Sequence, residues 1–252
     1  MPTLSIVIPC KDEEELLPRL LTSIKKQTFT DYEIIVADAH STDRTRDIAT
    51  SFGARVVEGG MPGPGRNHGA LEAQGALLLF LDADVVLASA RYLEDALAEF
   101  EEKKADVATC YIEPISDKII DHALYGAYNA YAELTEDILP HAAGMCILVR
   151  RKTHDEIKGF DEEVVLAEDM DYVRRAAKQN HKFKVLKSHP IHTSVRRMEK
   201  DGRWGIAFKY TFGELWLLFK GPFKKMPFEY HMGGGKKVKG QNPKVNTPSG
   251  VR

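Results

Sequence analysis

Short, almost wholly apolar runs alternate with helical patterns through the first half of this chain. Leu4 to Pro9, Tyr32 to Ala37, Ala76 to Leu81 and Asp106 to Ile112 have strand length, and runs so apolar leave little room for a wet face. Arg55 to Val57 is a shorter strand of the same series. Between them, Glu13 to Gln27 spaces Leu16, Leu17, Leu20, Leu21 and Ile24 as one helical face, with acids in its first turn and Lys25-Lys26 in its last. Both ends suit the helix dipole. Ser41, Thr42 and Asp43 offer N-caps to a helix ending at Gly53. A Gly/Pro loop over Gly59 to Gly65 precedes a helix from Arg66 to Gln74, and Arg91 to Lys104 is a further helix. This rhythm predicts βαβ units, hence an α/β fold with a mostly parallel central sheet and helices on both faces. Ligands of such sheets bind at the carboxyl ends of the strands. The polar residues that follow each strand therefore carry the functional question.

After Glu113 the pattern loosens. Helices are expected over Ile119 to Leu134, which carries His122, Tyr125, Tyr128 and Tyr131, and over Asp169 to Gln179; strands are expected over Met145 to Val149 and Lys182 to Leu186. From Trp204 to Phe223 aromatic and aliphatic residues recur every three or four positions, and beyond Phe228 the chain is rich in Gly, Lys and Asn. At 252 residues, 43% of them hydrophobic, the chain can bury a sizeable core, which excludes a disordered or collagen-like protein. No apolar run reaches the roughly 18 residues of a membrane span, and Met1-Pro2-Thr3 does not open a signal peptide. Cys10, Cys110 and Cys146 have no CxxC spacing, so neither a disulfide framework nor a zinc knuckle is expected. A cytoplasmic location follows. The net charge of −2 hides an asymmetry: residues 1–181 hold 19 Lys or Arg against 33 Asp or Glu, and residues 182–252 hold 16 against 4. The basic stretch is either a solvated tail or a surface for something anionic.

The strand ends supply the candidates. Pro9-Cys10-Lys11-Asp12-Glu13-Glu14 follows the first strand without the glycines of a dinucleotide turn or a P-loop. The second strand ends in Asp38, where a carboxylate can accept hydrogen bonds from a base N–H; helix capping accounts for Ser41 to Asp43 but does not require Asp38. The sharpest feature is Phe80-Leu81-Asp82-Ala83-Asp84. Two carboxylates leaving a buried strand together need a partner charge, and hard oxygen ligands suit Mg²⁺ or Mn²⁺ shared with substrate phosphates. Further on, Gly159-Phe160-Asp161 precedes Ala167-Glu168-Asp169-Met170-Asp171. These acids either open a helix or supply a general base.

In this order the motifs resemble the family 2 glycosyltransferases of the GT-A fold. The resemblance runs from about Leu4 to Lys187. It rests on Ile6-Val7-Ile8-Pro9 with Asp12-Glu13-Glu14, on Glu33 to Asp38 with Ser41-Thr42-Asp43, on Gly65-Arg66-Asn67 before Leu79 to Asp84, on Gly144 with Arg150-Arg151, and on Gly159-Phe160-Asp161 leading to Glu168-Asp169. It implies an inverting transferase that moves a sugar from a nucleotide-diphospho-sugar, of UDP or GDP type, to an acceptor hydroxyl or a lipid phosphate. Pro9, Lys11 and Glu13 would then line the nucleotide pocket, Asp38 would hold the base and Arg66 would approach the nucleotide or diphosphate. Asp84, with Asp82 and Ala83 beside it, would bind a divalent cation, Mn²⁺ or Mg²⁺, on the diphosphate. Asp169 would be the base, with Glu168 toward the acceptor. The pattern departs from the family at Lys11-Asp12, where an aromatic residue and Asn are common, and at Ala39, where a second acid is common.

The resemblance divides the chain into a GT-A catalytic domain over 1–187, a helical extension over 188–228 and a flexible basic tail over 229–252. His189 to Arg197 looks like the C-terminal segment of soluble members of the family, where Arg196 or Arg197 would contact the diphosphate. His192 is either a further metal ligand or an ordinary surface or core histidine. The Trp204 to Phe223 stripe, flanked by Lys209, Lys220, Lys224 and Lys225, is either a helix packed on the core or one lying at a membrane surface. The second reading adds a peripheral position at the inner face of the membrane and an acceptor that is lipid- or polyprenyl-linked rather than a free saccharide. Two rival readings stand beside the transferase. A sugar-phosphate nucleotidyltransferase resembles other members of its class in a Gly-rich basic loop after the first strand, which is acidic here, and a silent nucleotide-sugar-binding module would not need Asp82, Asp84 and Asp169. Nucleic acid is not an expected partner, because the acidic first part offers no continuous basic face.

Overall fold

The computed structural model describes residues 1–224, apart from several side chains between 197 and 218, those of Arg197 and Trp204 among them. The tail expected over 229–252 lies outside the described residues. The elements in chain order are β1 (Leu4–Cys10), α1 (Leu17–Lys25), β2 (Tyr32–Asp38), α2 (Thr45–Ser51), β3 (Arg55–Glu58), α3 (Pro62–Glu72), β4 (Leu77–Leu81) and β5 (Val85–Val86). They continue with α4 (Tyr92–Glu102), β6 (Val107–Ile115), α5 (Ile119–Thr135), β7 (Cys146–Arg150), α6 (Arg151–Glu156), α7 (Glu168–Lys178), β8 (Phe183–Ser194), α8 (Arg196–Asp201) and α9 (Arg203–Lys220).

The strands form one sheet of order β3-β2-β1-β4-β7-β6-β8-β5. Pairing is parallel from β3 to β4 and again between β6 and β8, while β7 and β5 run against their neighbours. The period of two along each strand divides the core. Leu4, Ile6 and Ile8 of β1, with Leu77, Leu79 and Leu81 of β4, face the layer of α1 and α4. Val7, Leu78 and Phe80 face Ala70 of α3, Ala132 of α5 and Tyr172, Val173 and Ala176 of α7. Both faces are thus covered, as the uniformly apolar runs require. α3 lies close on β1: a Cβ at Gly69 would stand 2.3 Å from Val7 Cγ1.

Four local differences from the sequence reading have physical causes. α1 begins at Leu17 rather than Glu13, so it has no acid in its first turn; Glu13 to Glu15 instead form the turn before it. α3 begins inside the Gly/Pro segment, because Pro62 presets the helical φ and first-turn residues need no amide partner. The two-residue β5 is too short to show periodicity. β8 continues past Leu186 through Pro190 to Ser194, bulging opposite Cys110 to Ile112. The division expected between 187 and 188 falls inside that strand, and residues up to Ser194 pair within the sheet.

Candidate active site

The carboxyl ends of the parallel strands β1, β2 and β4 open on one edge, and the loops that follow them are laced together. Asp12 N–H donates to Ser41 Oγ at 2.8 Å, Thr42 N–H to Asp12 Oδ1 at 2.7 Å, Glu13 N–H to Thr45 Oγ1 at 2.8 Å and Glu14 N–H to Asp43 Oδ2 at 3.1 Å. The Ser41 to Asp43 cluster therefore braces the β1 loop as well as the start of α2. This bracing holds Asp12 in the left-handed region at φ 51° and turns Glu13 inward, where it is 5% exposed. Pro9 backs α3, since a Cβ at Gly65 would stand 3.3 Å from the Pro9 Cβ. Lys11 is half-buried in the same loop. Burial, reinforced by the Glu13, Asp38 and Asp82 carboxylates, pushes the Cys10 thiol well up.

Asp38 is fully buried at the end of β2. Its Oδ2 accepts from Ser41 N–H at 3.1 Å and from Arg46 Nη1 at 3.0 Å. Its Oδ1 is buried with no hydrogen-bond partner, an acceptor that burial makes costly unless something donates to it. Arg46 was not among the sequence candidates. Its position eight residues past Asp38, as the second residue of α2, is the signal that finds it.

Beyond β4 the chain places two carboxylates in two different arginine clusters. Arg66, on α3 and 2% exposed, donates from Nη2 to Asp82 Oδ1 at 2.9 Å and to the Gly144 carbonyl at 2.9 Å, and from Nη1 to Glu168 Oε1 at 2.8 Å. Its guanidinium lies 5.3 Å from the centre of the Phe160 ring. Burial acts to lower its pKa, but Asp82, Glu168 and Asp169 outweigh burial and raise it, so it is permanently charged. Asp84 instead meets Arg196, whose Nε is 3.4 Å from Asp84 Oδ2. The same guanidinium forks onto Glu13, Nη1 to Oε2 at 2.9 Å and Nη2 to Oε1 at 2.5 Å. Burial raises the Glu13 pKa, with Arg196 opposing. β5 makes this possible: Val85 pairs with Thr193 and Ser194 N–H donates to the Asp84 carbonyl at 3.1 Å, which delivers the start of α8 to the strand end. A cavity of about 190 Å³ opens beside this pair, between Leu16, Arg19 and Val86.

Asp169 completes the edge from α7. Ala167 precedes the helix in the left-handed region at φ 59°, a strained setting for a residue with a Cβ. Asp169 Oδ1 accepts from Met170 N–H at 2.8 Å. Burial, then the neighbouring Glu168, pushes its carboxyl up to about 6, against the pull of Arg66. Gly144 lets the two groups meet, because a Cβ there would stand 2.9 Å from Asp169 Oδ2 and 3.1 Å from Arg66 Nη2.

The structure does not bring every candidate together. His192 sits on β8 with Nε2 3.5 Å from Glu113 Oε2, and among the described residues no three His, Cys, Asp or Glu side chains form a metal cage. The Arg197 side chain lies outside the described residues. A divalent cation of the Mg²⁺ type nevertheless fits Asp84 and Asp82, since it takes one or two carboxylates and completes its shell with phosphate oxygens and water. Both carboxylates are partly exposed, at 20% and 36%.

The sheet thus gathers acids that follow β1 and β4, end β2 and open α7 at one carboxyl edge, the site geometry of an α/β transferase. The glycosyl transferase family 2 model matches residues 5–158, and the chain belongs to that family. It is 24% identical over 208 residues to the poly(ribitol-phosphate) beta-N-acetylglucosaminyltransferase TarS of Staphylococcus aureus, covering 78% of this chain and 36% of that one. The structure of TarS 1-349 in complex with UDP-GlcNAc superposes with a TM-score of 0.63 at 23% identity, over 77% of this chain and 59% of that one. The mannosyltransferase PcManGT of Pyrobaculum calidifontis, in complex with GDP-Man and Mn²⁺, gives 0.67 at 17% identity, over 84% and 61%. The chain spans about a third of the length of the curated poly(ribitol-phosphate) transferases it matches.

Proposed function

We propose that the protein transfers a sugar from a nucleotide-diphospho-sugar to an acceptor with inversion at the reacting carbon, Asp169 acting as the base. The observation that carries this reading is the Asp169 carboxyl: half-buried, raised to about 6 and one residue from the Glu168 that pairs with Arg66. A base of that pKa is ionised at neutral pH and still takes a proton readily. Glu168, held by Arg66, orients the acceptor side. The unpartnered Asp38 Oδ1 accepts from an N–H of the nucleotide base, and Pro9, Lys11 and Glu13 line that pocket. Asp84, with Asp82 and Ala83 beside it, would hold Mn²⁺ or Mg²⁺, which when bound offsets charge on the leaving diphosphate. In this reading Arg196 contacts the diphosphate, and Arg197 follows it in sequence. His192, which faces Glu113, is given no metal role.

The donor is of UDP or GDP type, the two nucleotides named for the matched structures. The acceptor is a saccharide, a polyol phosphate such as the TarS name specifies, or a polyprenyl-linked group, in each case on the cytoplasmic side and with the basic C-terminal part facing its phosphate. Thermal shift with UDP- and GDP-sugars, with and without Mn²⁺, tests the division of roles. Asp84→Ala should abolish the Mn²⁺-dependent shift. Asp169→Asn should keep it while transfer falls by about 10²- to 10⁴-fold. Equal loss of donor binding in both variants would refute the assignment.

A further inference from the structure

The described parts of α5 and α9 each bury polar side chains and leave apolar ones exposed. Along α5 the polar side chains point into the protein: Asp121 is fully buried, with both oxygens accepting from Arg203, and Asn129 bonds both the amide and the carbonyl of Ile112. Most of its exposed positions are apolar, His122 and Tyr131 being the exceptions. Ala123, Ala127 and Ala130 face solvent, and Ile119 is 87% exposed, Leu134 82% and, just past the helix, Ile138 89%. α9 repeats the arrangement. Arg203 and Glu214 turn toward the protein, Glu214 meeting Arg174, His141 and Tyr131, while Phe212, Trp216 and Phe219 remain outside.

The helices run side by side in the same direction. Asp121 and Tyr131 of α5 meet Arg203 and Glu214 of α9, so the anchors lie about 15 Å apart along each axis. Between them the two helices expose Ile119, Ile120, Leu134, Phe212, Trp216 and Phe219, more than the scattered single hydrophobics usual on a surface. Exposed Lys118, beside exposed Asp117, stands at one end and exposed Lys220 at the other; exposed Asp137, paired with Lys184, adjoins Ile138. Residues 225–252, a few positions after α9, carry six Lys or Arg against one acid. An apolar helical face with aromatic residues and flanking basic charge fits the interface of an anionic bilayer. A second copy of the chain would answer the apolar face but bring its own positive charge to meet the first.

We infer that the outward face of α5 and α9 docks the protein on the surface of an anionic lipid bilayer. This rests on the membrane reading of the function proposed above and names the surface that performs it. No helix among the described residues is long and apolar enough to cross a membrane, so the contact lies in the interface plane.

The test is sedimentation of the full chain with vesicles of phosphatidylcholine alone or mixed with phosphatidylglycerol. The wild type should bind the mixed vesicles and lose most binding at high salt, where headgroup attraction is screened. Leu134→Ser with Ile138→Ser and Phe219→Ser should weaken that binding by at least about tenfold, the scale of removing several partly inserted side chains. Leu71→Ser, an exposed leucine on α3, should leave it unchanged. UDP-sugar binding on the same samples separates the two readings, since loss of vesicle binding with donor binding intact rejects only the surface. Wild-type protein that stays in the supernatant, a triple variant that binds as well as wild type, or a dimer that the triple variant dissociates without any vesicle binding would each overturn the inference.

Discussion

Asp82 and Asp84 are two residues apart and serve different parts of the molecule. Asp82, itself 36% exposed, pairs with a closed-in arginine: Arg66 is 2% exposed, lies against the Phe160 ring and is tied to β4, α7 and the Gly144 carbonyl. Asp84 belongs to an open cluster, where Arg196 is over a third exposed and reaches in from α8. The first is architecture: a charge buried among carboxylates is tolerable only if every partner stays in place. The second is exchangeable, because water can replace the arginine on the Asp84 side. One motif therefore ties its first acid, through Arg66, to α7 and its second, through Arg196, to α8; in the proposed function the second is the acid left for the donor.

The largest effect should come from breaking the closed cluster. Arg66→Ala leaves Asp82, Glu168 and Asp169 facing one another without their shared cation, and a loss of about 3–5 kcal/mol in urea unfolding is expected. A loss below about 1 kcal/mol would mean that the carboxylates relax into solvent and that the two clusters are alike.

Asp169 tests the same cluster from the other side. Its folded pKa of about 6 lies above the unfolded value of 3.8, so the fold holds the proton more tightly than the unfolded chain does. That contribution is complete below about pH 4 and is lost as pH rises through 6. Asp169→Asn removes the penalty, and the variant should exceed wild type in stability by up to about 3 kcal/mol at pH 8 and match it near pH 4. Transfer by the wild type should rise with pH through about 6, as the base ionises. A flat difference in stability between pH 4 and pH 8 would remove the electrostatic reason for calling Asp169 the base.

What was legible in the sequence follows the same division. β1, β2 and β4 could be read because burial on both faces leaves only apolar residues, and their carboxyl ends then named Asp38, Asp82 and Asp84. Glu168 and Asp169 were legible as acids opening a helix. The partnerships were not. Arg66 meets Glu168 across 102 residues and Arg196 meets Glu13 across 183, and neither distance has a local signal. Arg66 was expected against the nucleotide, whereas the fold gives its guanidinium to carboxylates and a carbonyl. β5 has two residues, and Pro190 disguises the far half of β8, yet those two strands deliver Arg196 to Asp84. His192 stayed open between a ligand and an ordinary histidine, because the register that faces it with Glu113 is set by the sheet. The inverted faces of α5 and α9 were hidden for a related reason, since a helical period says that a face exists and not which way it turns.

The smallest expected effect is the sharpest test of the open cluster. Arg196→Ala removes a pair that is partly exposed and screened, so stability should fall by no more than about 1 kcal/mol, against several for Arg66→Ala. The consequence for ligands should have opposite signs. Without donor, Arg196 and a divalent cation compete for Asp84, and removing the arginine should raise Mn²⁺ affinity severalfold in calorimetry. With donor, the diphosphate loses a guanidinium fork, and UDP-sugar affinity should fall. If Mn²⁺ affinity drops along with donor affinity, Arg196 supports the acid rather than neutralising it, and the distinction between a fixed Asp82 and an exchangeable Asp84 fails.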